Sequence, residues 1–153
     1  FSNMKHRESI FKNNIRVNVI GRLNMFPKGI RKAILDIMEK TKKHKNFIVN
    51  FAMAYGGRQE ITDAVNKIIK DIKSNKINSK KINENTITNY LYLKSEPDLV
   101  IRPGGEKRMS NFLLWQSCYS ELFFTDKLWP EFTKEDLIKC IEEFNKRERR
   151  FGT

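Results

Sequence analysis

Residues Phe47 to Ile72 read FIVNFAMAYGGRQEITDAVNKIIKDI. The run Phe47 to Met53 is short, apolar and rich in β-branched and aromatic side chains, which predicts a strand buried on both faces. Gly56-Gly57 interrupts it. Beyond the glycines, Ile61, Ala64, Val65, Ile68, Ile69 and Ile72 recur at helical spacing and form one apolar stripe. Strand, tight glycine turn and helix in that order describe a crossover unit of a parallel sheet, so the chain is α/β.

The flanks agree. Upstream, Ile15 to Ile20 alternates and stops at Gly21, as a strand ending in a turn does. After Pro27, the spacing of Ile30, Ile34, Ile37 and Met38 predicts an amphipathic helix from Lys28 to about Lys43. Phe1 to Asn14 reads as a frayed helix or loop. Downstream, Ser74 to Asn85 is a Lys/Asn/Ser loop and Ile87 to Leu93 a short helix. Asp98 to Arg102 is a third strand, Asn111 to Gln116 a short helical piece and Glu121 to Thr125 a fourth strand. Thr133 with Asp136 forms a capping box for a last helix whose apolar face is Leu137, Ile138, Ile141 and Phe144.

A chain of 153 residues accommodates one core, so residues 1–153 are read as a single domain. Because it opens on Phe1 rather than methionine, it is expected to be part of a longer protein. With 39% hydrophobic and 31% charged residues the composition is globular. No run of 18 apolar residues and no signal-peptide pattern is present, which predicts a soluble protein whose membrane contact is peripheral. Cys118 and Cys140 lack CxxC spacing, so neither zinc nor a disulfide framework is indicated, and a reducing compartment is expected. The net charge of +12 is the footprint of a polyanion binder, but the Lys, Asn and Ile bias of an AT-rich genome explains it as well. Much of the lysine falls in loops, and nucleic acid is not the expected partner.

In open parallel sheets ligands bind beyond the carboxyl ends of the strands. The loop after the third strand reads Arg102-Pro103-Gly104-Gly105-Glu106-Lys107-Arg108-Met109-Ser110-Asn111. Guanidinium forks suit phosphate oxygens, and glycine turns can aim backbone N–H groups at an anion. The alternative is a solvated basic turn. No Walker A spacing occurs, which excludes an ordinary mononucleotide P-loop. Glu121, at the head of the fourth strand, is either a Mg²⁺ ligand or a carboxylate facing water. His6 and His44 read as surface residues, and Trp115 and Trp129 as core or interface anchors.

The segments Pro97 to Gln116, Tyr119 to Asp126 and Leu128-Trp129-Pro130, with Tyr55-Gly56-Gly57-Arg58 upstream and Arg149-Arg150-Phe151-Gly152 at the end, closely resemble the signature region of the cis-prenyltransferase family. Undecaprenyl and dehydrodolichyl diphosphate synthases are of this type. The resemblance covers roughly Ile15 to Gly152. It implies a parallel-sheet fold flanked by helices, and condensation of isopentenyl diphosphate with an allylic diphosphate, such as farnesyl diphosphate, to long Z-polyprenyl diphosphates.

By the same resemblance, Arg102, Arg108 and Ser110 would hold the diphosphate of isopentenyl diphosphate, and Glu121 would contribute to a Mg²⁺ site. Arg150 and Gly152 would complete the diphosphate site across a dimer interface. The resemblance implies a homodimer, or a heteromer with a related, silent subunit; this chain could itself be such a subunit, though it keeps the cradle residues. It also implies work in the cytoplasm or on the cytoplasmic face of the endoplasmic reticulum. Two departures stand out. Pro103 replaces the usual Ser or Thr, and the family's N-terminal His-x-x-Gly-Asn-x-Arg block, with its catalytic aspartate, is not among these residues. The N-terminal part of the catalytic domain is therefore expected to be missing, and the fragment alone to be inactive.

Overall fold

A computed structural model describes residues 4–148, with the side chains of residues 8–148. The chain divides into two compact units, Phe1–Gly56 and Gly57–Thr153.

In the first unit, helix α1 (Met4–Lys12) ends where Asn13 turns its amide back onto the Ser9 carbonyl, 2.9 Å away, and Asn14 enters the left-handed region at φ 52°. Strand β1 (Ile15–Ile20), helix α2 (Lys28–Thr41) and strand β2 (Phe47–Ala52) follow. The strands run parallel, from Ile15 opposite Phe47 to Ile20 opposite Ala52. Alternation places Val17 and Val19 inward, and α2 covers them with Ile34, Ile37 and Thr41, spaced to share one helix face. The Thr41 hydroxyl joins the two elements: it donates to the Ile37 carbonyl at 2.8 Å and accepts from the Val17 amide at 3.0 Å. Gly21 must be glycine. Its φ is 115°, and a Cβ there would stand 2.0 Å from the Met53 carbonyl oxygen.

Two expectations need correcting in this unit. His44 is half-buried, with Nδ1 2.8 Å from the Ile15 carbonyl and its ring edge-on to Phe11, so it ties down the start of β1. Strand β2 is exposed along its whole length rather than buried on both faces. Among the described residues its only strand neighbour is β1, and the buried residues of α2 pack over β1 instead.

The second unit opens with helix α3 (Gly57–Lys73), then helix α4 (Glu84–Tyr90), strands β3 (Leu99–Pro103) and β4 (Glu121–Thr125), and helix α5 (Lys134–Lys146). Helix α4 starts earlier than its apolar residues suggest, because Asn83 and Thr86 form a capping box. Two acids of α3 hold the chain around α4: Asp71 accepts from the Tyr90 hydroxyl at 2.6 Å and Asp63 from that of Tyr92. Donation from Tyr90 lowers the pKa of Asp71 and raises that of the tyrosine.

Strands β3 and β4 are parallel, Leu99 facing Glu121 and Pro103 facing Thr125. The expected capping box of α5 is present. Asp136 accepts from the Thr133 amide at 2.9 Å and binds Lys127 at 2.7 and 2.8 Å, which, with the lysine as the largest cause, lowers its pKa to about 2. Residues Asn111 to Gln116 form turns rather than a helix, since Ser110, Asn111 and Leu113 adopt φ of 45°, 66° and 44°. Trp115 is half-buried, its indole N–H donating to the Thr88 hydroxyl at 3.0 Å, whereas Trp129 is 74% exposed and stacks on Phe132. Both cysteines are free thiols, and among the described residues no helix is long and apolar enough to cross a membrane.

Candidate anion-binding site

Arg102 lies next to last in β3, where the strand delivers its side chain to the carboxyl end of the sheet. Its Nη1 donates to the Ser110 hydroxyl oxygen at 2.7 Å and to the Arg108 carbonyl. The loop therefore folds back on its own strand, and three residues predicted from sequence, Arg102, Arg108 and Ser110, line one cavity of about 280 Å³ with Val100, Met109 and Phe112. The lining combines two guanidinium groups with apolar side chains, which suits a charged head attached to a hydrocarbon.

The Arg108 guanidinium is paired with Glu106 in an exposed contact. Such pairs contribute about 0–1 kcal/mol, so an incoming diphosphate can take the arginine over. Sequence reading assigned Glu106 no part, although an acid two residues before a cradle arginine was the available signal.

The glycines act otherwise than expected. Gly104 N–H donates to the Lys127 carbonyl at 2.8 Å and Gly105 N–H to the Thr125 carbonyl at 2.9 Å. Both amides are spent on the fold, at φ of 103° and 77°, so they shape the turn instead of offering donors to an anion. Pro103 costs the sheet little at the last position of β3, where strands tolerate proline.

Glu121 is not brought to this cradle. It faces Leu99, three residues before Arg102, roughly 10 Å along the strand at about 3.3 Å per residue. Period-two alternation also sends the Glu121 and Arg102 side chains to opposite faces of the sheet. Glu121 instead binds Arg147 at 2.6 Å, and that guanidinium also lies over the Phe123 ring, 4.1 Å from its centre. Among the described residues no three His, Cys, Asp or Glu side chains gather to hold a metal. A Mg²⁺ ion bridging Glu121 and the cradle of the same chain does not fit this arrangement. Arg150 and Gly152 lie outside the described residues.

Three further residues support the loop and were given no role from sequence. Asn111 accepts from the Gly57 amide through its carbonyl at 2.7 Å and from the Arg58 amide through Oδ1 at 2.8 Å. Glu60 and Gln116, each 1% exposed, are hydrogen-bonded to one another at 3.1 Å. For Gln116 the available signal was a polar side chain closing the apolar run Phe112 to Trp115; Glu60, inside the polar run Arg58-Gln59-Glu60, carried none.

A parallel α/β unit with two arginines and a serine at a strand's carboxyl end, in a cavity also lined by apolar side chains, is an arrangement suited to a phosphorylated hydrophobic molecule. The family described as "Putative undecaprenyl diphosphate synthase" matches residues 1–152. The chain belongs to this undecaprenyl diphosphate synthase family, whose members are cis-prenyltransferases.

It is 49% identical to the tritrans,polycis-undecaprenyl-diphosphate synthase (geranylgeranyl-diphosphate specific) of Thermococcus kodakarensis, over 99% of this chain and 58% of that protein. To the protein of the same name from Methanopyrus kandleri it is 47% identical, over 99% and 57%. Among solved structures it resembles lavandulyl diphosphate synthase from Lavandula x intermedia in complex with dimethylallyl diphosphate, with TM-score 0.92, 32% identity, and 98% and 66% coverage. A probable undecaprenyl diphosphate synthase from Campylobacter jejuni gives TM-score 0.86, 39% identity, and 97% and 68% coverage. The expected fold, parallel sheets flanked by helices of the undecaprenyl diphosphate synthase type, is thus met. The chain spans less than two thirds of these curated relatives.

Proposed function

We propose that the protein to which these residues belong condenses isopentenyl diphosphate with an allylic diphosphate to make a long Z-polyprenyl diphosphate. The observation that carries this reading is the meeting of Arg102, Arg108 and Ser110 around one cavity also lined by apolar side chains. Family membership supplies the class of reaction, and the specificity named for the relatives favours geranylgeranyl diphosphate over farnesyl diphosphate as primer.

In this reading the chain's own groups do positional work. Arg102 is aimed by Ser110 and by the Arg108 carbonyl. Arg108 is released from Glu106 to the substrate, and the two guanidiniums hold the diphosphate of isopentenyl diphosphate while its double bond attacks the primer. The apolar side chains at the cavity wall exclude water from the reacting carbons. Mg²⁺, expected throughout the family, would neutralise diphosphate charge. Because Glu121 stands apart from the cradle, no step is assigned to it within one chain. Glu121 is proposed to serve a Mg²⁺ site outside the cradle of its own chain, and Arg150 and Gly152, as the family resemblance implies, to complete a partner chain's cradle in a dimer. Both units are taken as parts of one catalytic domain acting in the cytoplasm.

The test uses the full-length enzyme and labelled isopentenyl diphosphate. Arg102→Ala and Arg108→Ala are each expected to raise its KM roughly 10- to 100-fold, the loss of one charge-assisted contact of about 1.5–3 kcal/mol. Unchanged kinetics in both variants would remove the assignment. Failure of the unsubstituted chain to incorporate label unless a second, related subunit is added would make it the silent partner instead.

A further inference from the structure

Between the cradle and β4 the backbone takes a course that its own residues do not favour. Ser110, Asn111 and Leu113 all have positive φ, and none is glycine. Something outside the segment must hold it there, and the holding element is the first turn of α3.

The opening N–H groups of a helix have no partner within it. In α3 two of them, on Gly57 and Arg58, are met by the carbonyl and side-chain oxygens of Asn111. Close approach is permitted because residue 57 is glycine: a Cβ there would stand 2.8 Å from Leu114 Cγ and 3.1 Å from its amide nitrogen. One turn further, Glu60 Oε1 accepts from Gln116 Nε2 at 3.1 Å and from the amides of Tyr92 and Leu93 at 2.7 and 3.1 Å. The second hydrogen of the Gln116 amide goes to the Leu93 carbonyl at 2.9 Å. Both partners being acceptors, the orientation of that amide is settled. The segment from 111 to 116 is therefore pinned at both ends to a single helical turn.

Ser110, whose hydroxyl accepts from Arg102 at 2.7 Å, sits immediately before the first pin. We propose that Asn111 is a positioning residue for the diphosphate cradle: by capping α3 it sets the left-handed backbone that aims the Ser110 hydroxyl, and through it the Arg102 guanidinium, without touching substrate. Asparagine suits the place because it tolerates positive φ and carries an acceptor two bonds beyond Cβ. The inference rests on the cradle reading given above.

Asn111→Gly in the full-length enzyme keeps the backbone freedom and removes the side-chain acceptor, whereas Asn111→Asp keeps the acceptor. The measurements are inorganic pyrophosphate binding by calorimetry and steady-state kinetics with isopentenyl diphosphate. Asn111→Gly is expected to weaken pyrophosphate and raise KM about tenfold, with kcat within about threefold; Asn111→Asp should return both to within about twofold of the parent. If Asn111→Gly fails to fold, Asn111→Ser, with its shorter acceptor, takes its place and should give an intermediate loss. Parental binding in the Gly or Ser variant, or no recovery in Asn111→Asp, overturns the proposal. Arg102→Ala is the control that separates the two ideas. If it too leaves pyrophosphate binding unchanged, the cradle reading fails, and if it alone weakens binding, only the role of Asn111 fails.

Discussion

Single side chains in this protein join elements distant in sequence, and their removal has calculable consequences. Thr41 is fully buried at the end of α2, where its hydroxyl accepts from the amide of Val17, itself 1% exposed. Thr41→Val preserves shape but leaves that amide with no acceptor, so unfolding in urea should show a loss of about 1–3 kcal/mol. Thr41→Ser, which keeps the oxygen, should lose distinctly less. An equal loss in both would mean that packing, not the hydrogen bond, holds the helix to the strand. His44 teaches the same lesson: placed among lysines it reads as surface, yet the parallel register brings it against the Ile15 carbonyl. Nothing within a few residues of His44 could have announced a partner 29 positions away.

At the scale of elements, α5 is defined by its first turn. Asp136 satisfies the Thr133 amide and holds Lys127; the ion pair requires the ionised carboxylate, and the amide bond is strengthened by it. Its pKa is lowered in the fold to about 2, from the ordinary carboxylate range near 4, mainly by Lys127. The unfolded chain therefore binds the proton more readily. The stabilisation is present in full above the unfolded pKa and is lost as pH falls through the folded value. Asp136→Asn should accordingly lower Tm at about pH 6, and the gap between parent and variant should close as the pH approaches about 2. A gap independent of pH would show that the charge is not what caps the helix. This capping box was legible because all its parts lie within four residues. The turn at 111–116 was not, because its backbone is imposed by α3, more than fifty positions earlier.

At the scale of the whole molecule, β2 is where these 153 residues are least self-sufficient. Phe47, Ile48, Val49 and Phe51 are 63%, 57%, 37% and 41% exposed, on a strand bonded to one neighbour among the described residues. An apolar strand with an open edge is a template for pairing with other chains. A protein made of residues 1–153 alone should therefore self-associate with rising concentration in sedimentation, and Ile48→Lys should suppress this by placing a charge on the edge. Association unaffected by the lysine would move the contact elsewhere. The net charge of +12 belongs to the same scale and favours solubility without choosing a ligand.

Local chemistry by itself marked out the four strands, the helices apart from the piece expected at 111–116, and the last helix's cap, because each rests on neighbours in sequence, and it singled out the candidate cradle residues by side-chain type. Only the tertiary structure decided which of those residues meet. Arg102 and Glu121 both stand in apolar strands beside plausible partners, but the parallel register of β3 and β4 puts them at different heights and on opposite faces. Register is a pairing between segments joined by a long connection, and shifting it by one residue would exchange every face. The two glycines of the loop, likewise suited to an anion, have their amides claimed by Lys127 and Thr125, carbonyls that only the folded sheet brings within reach.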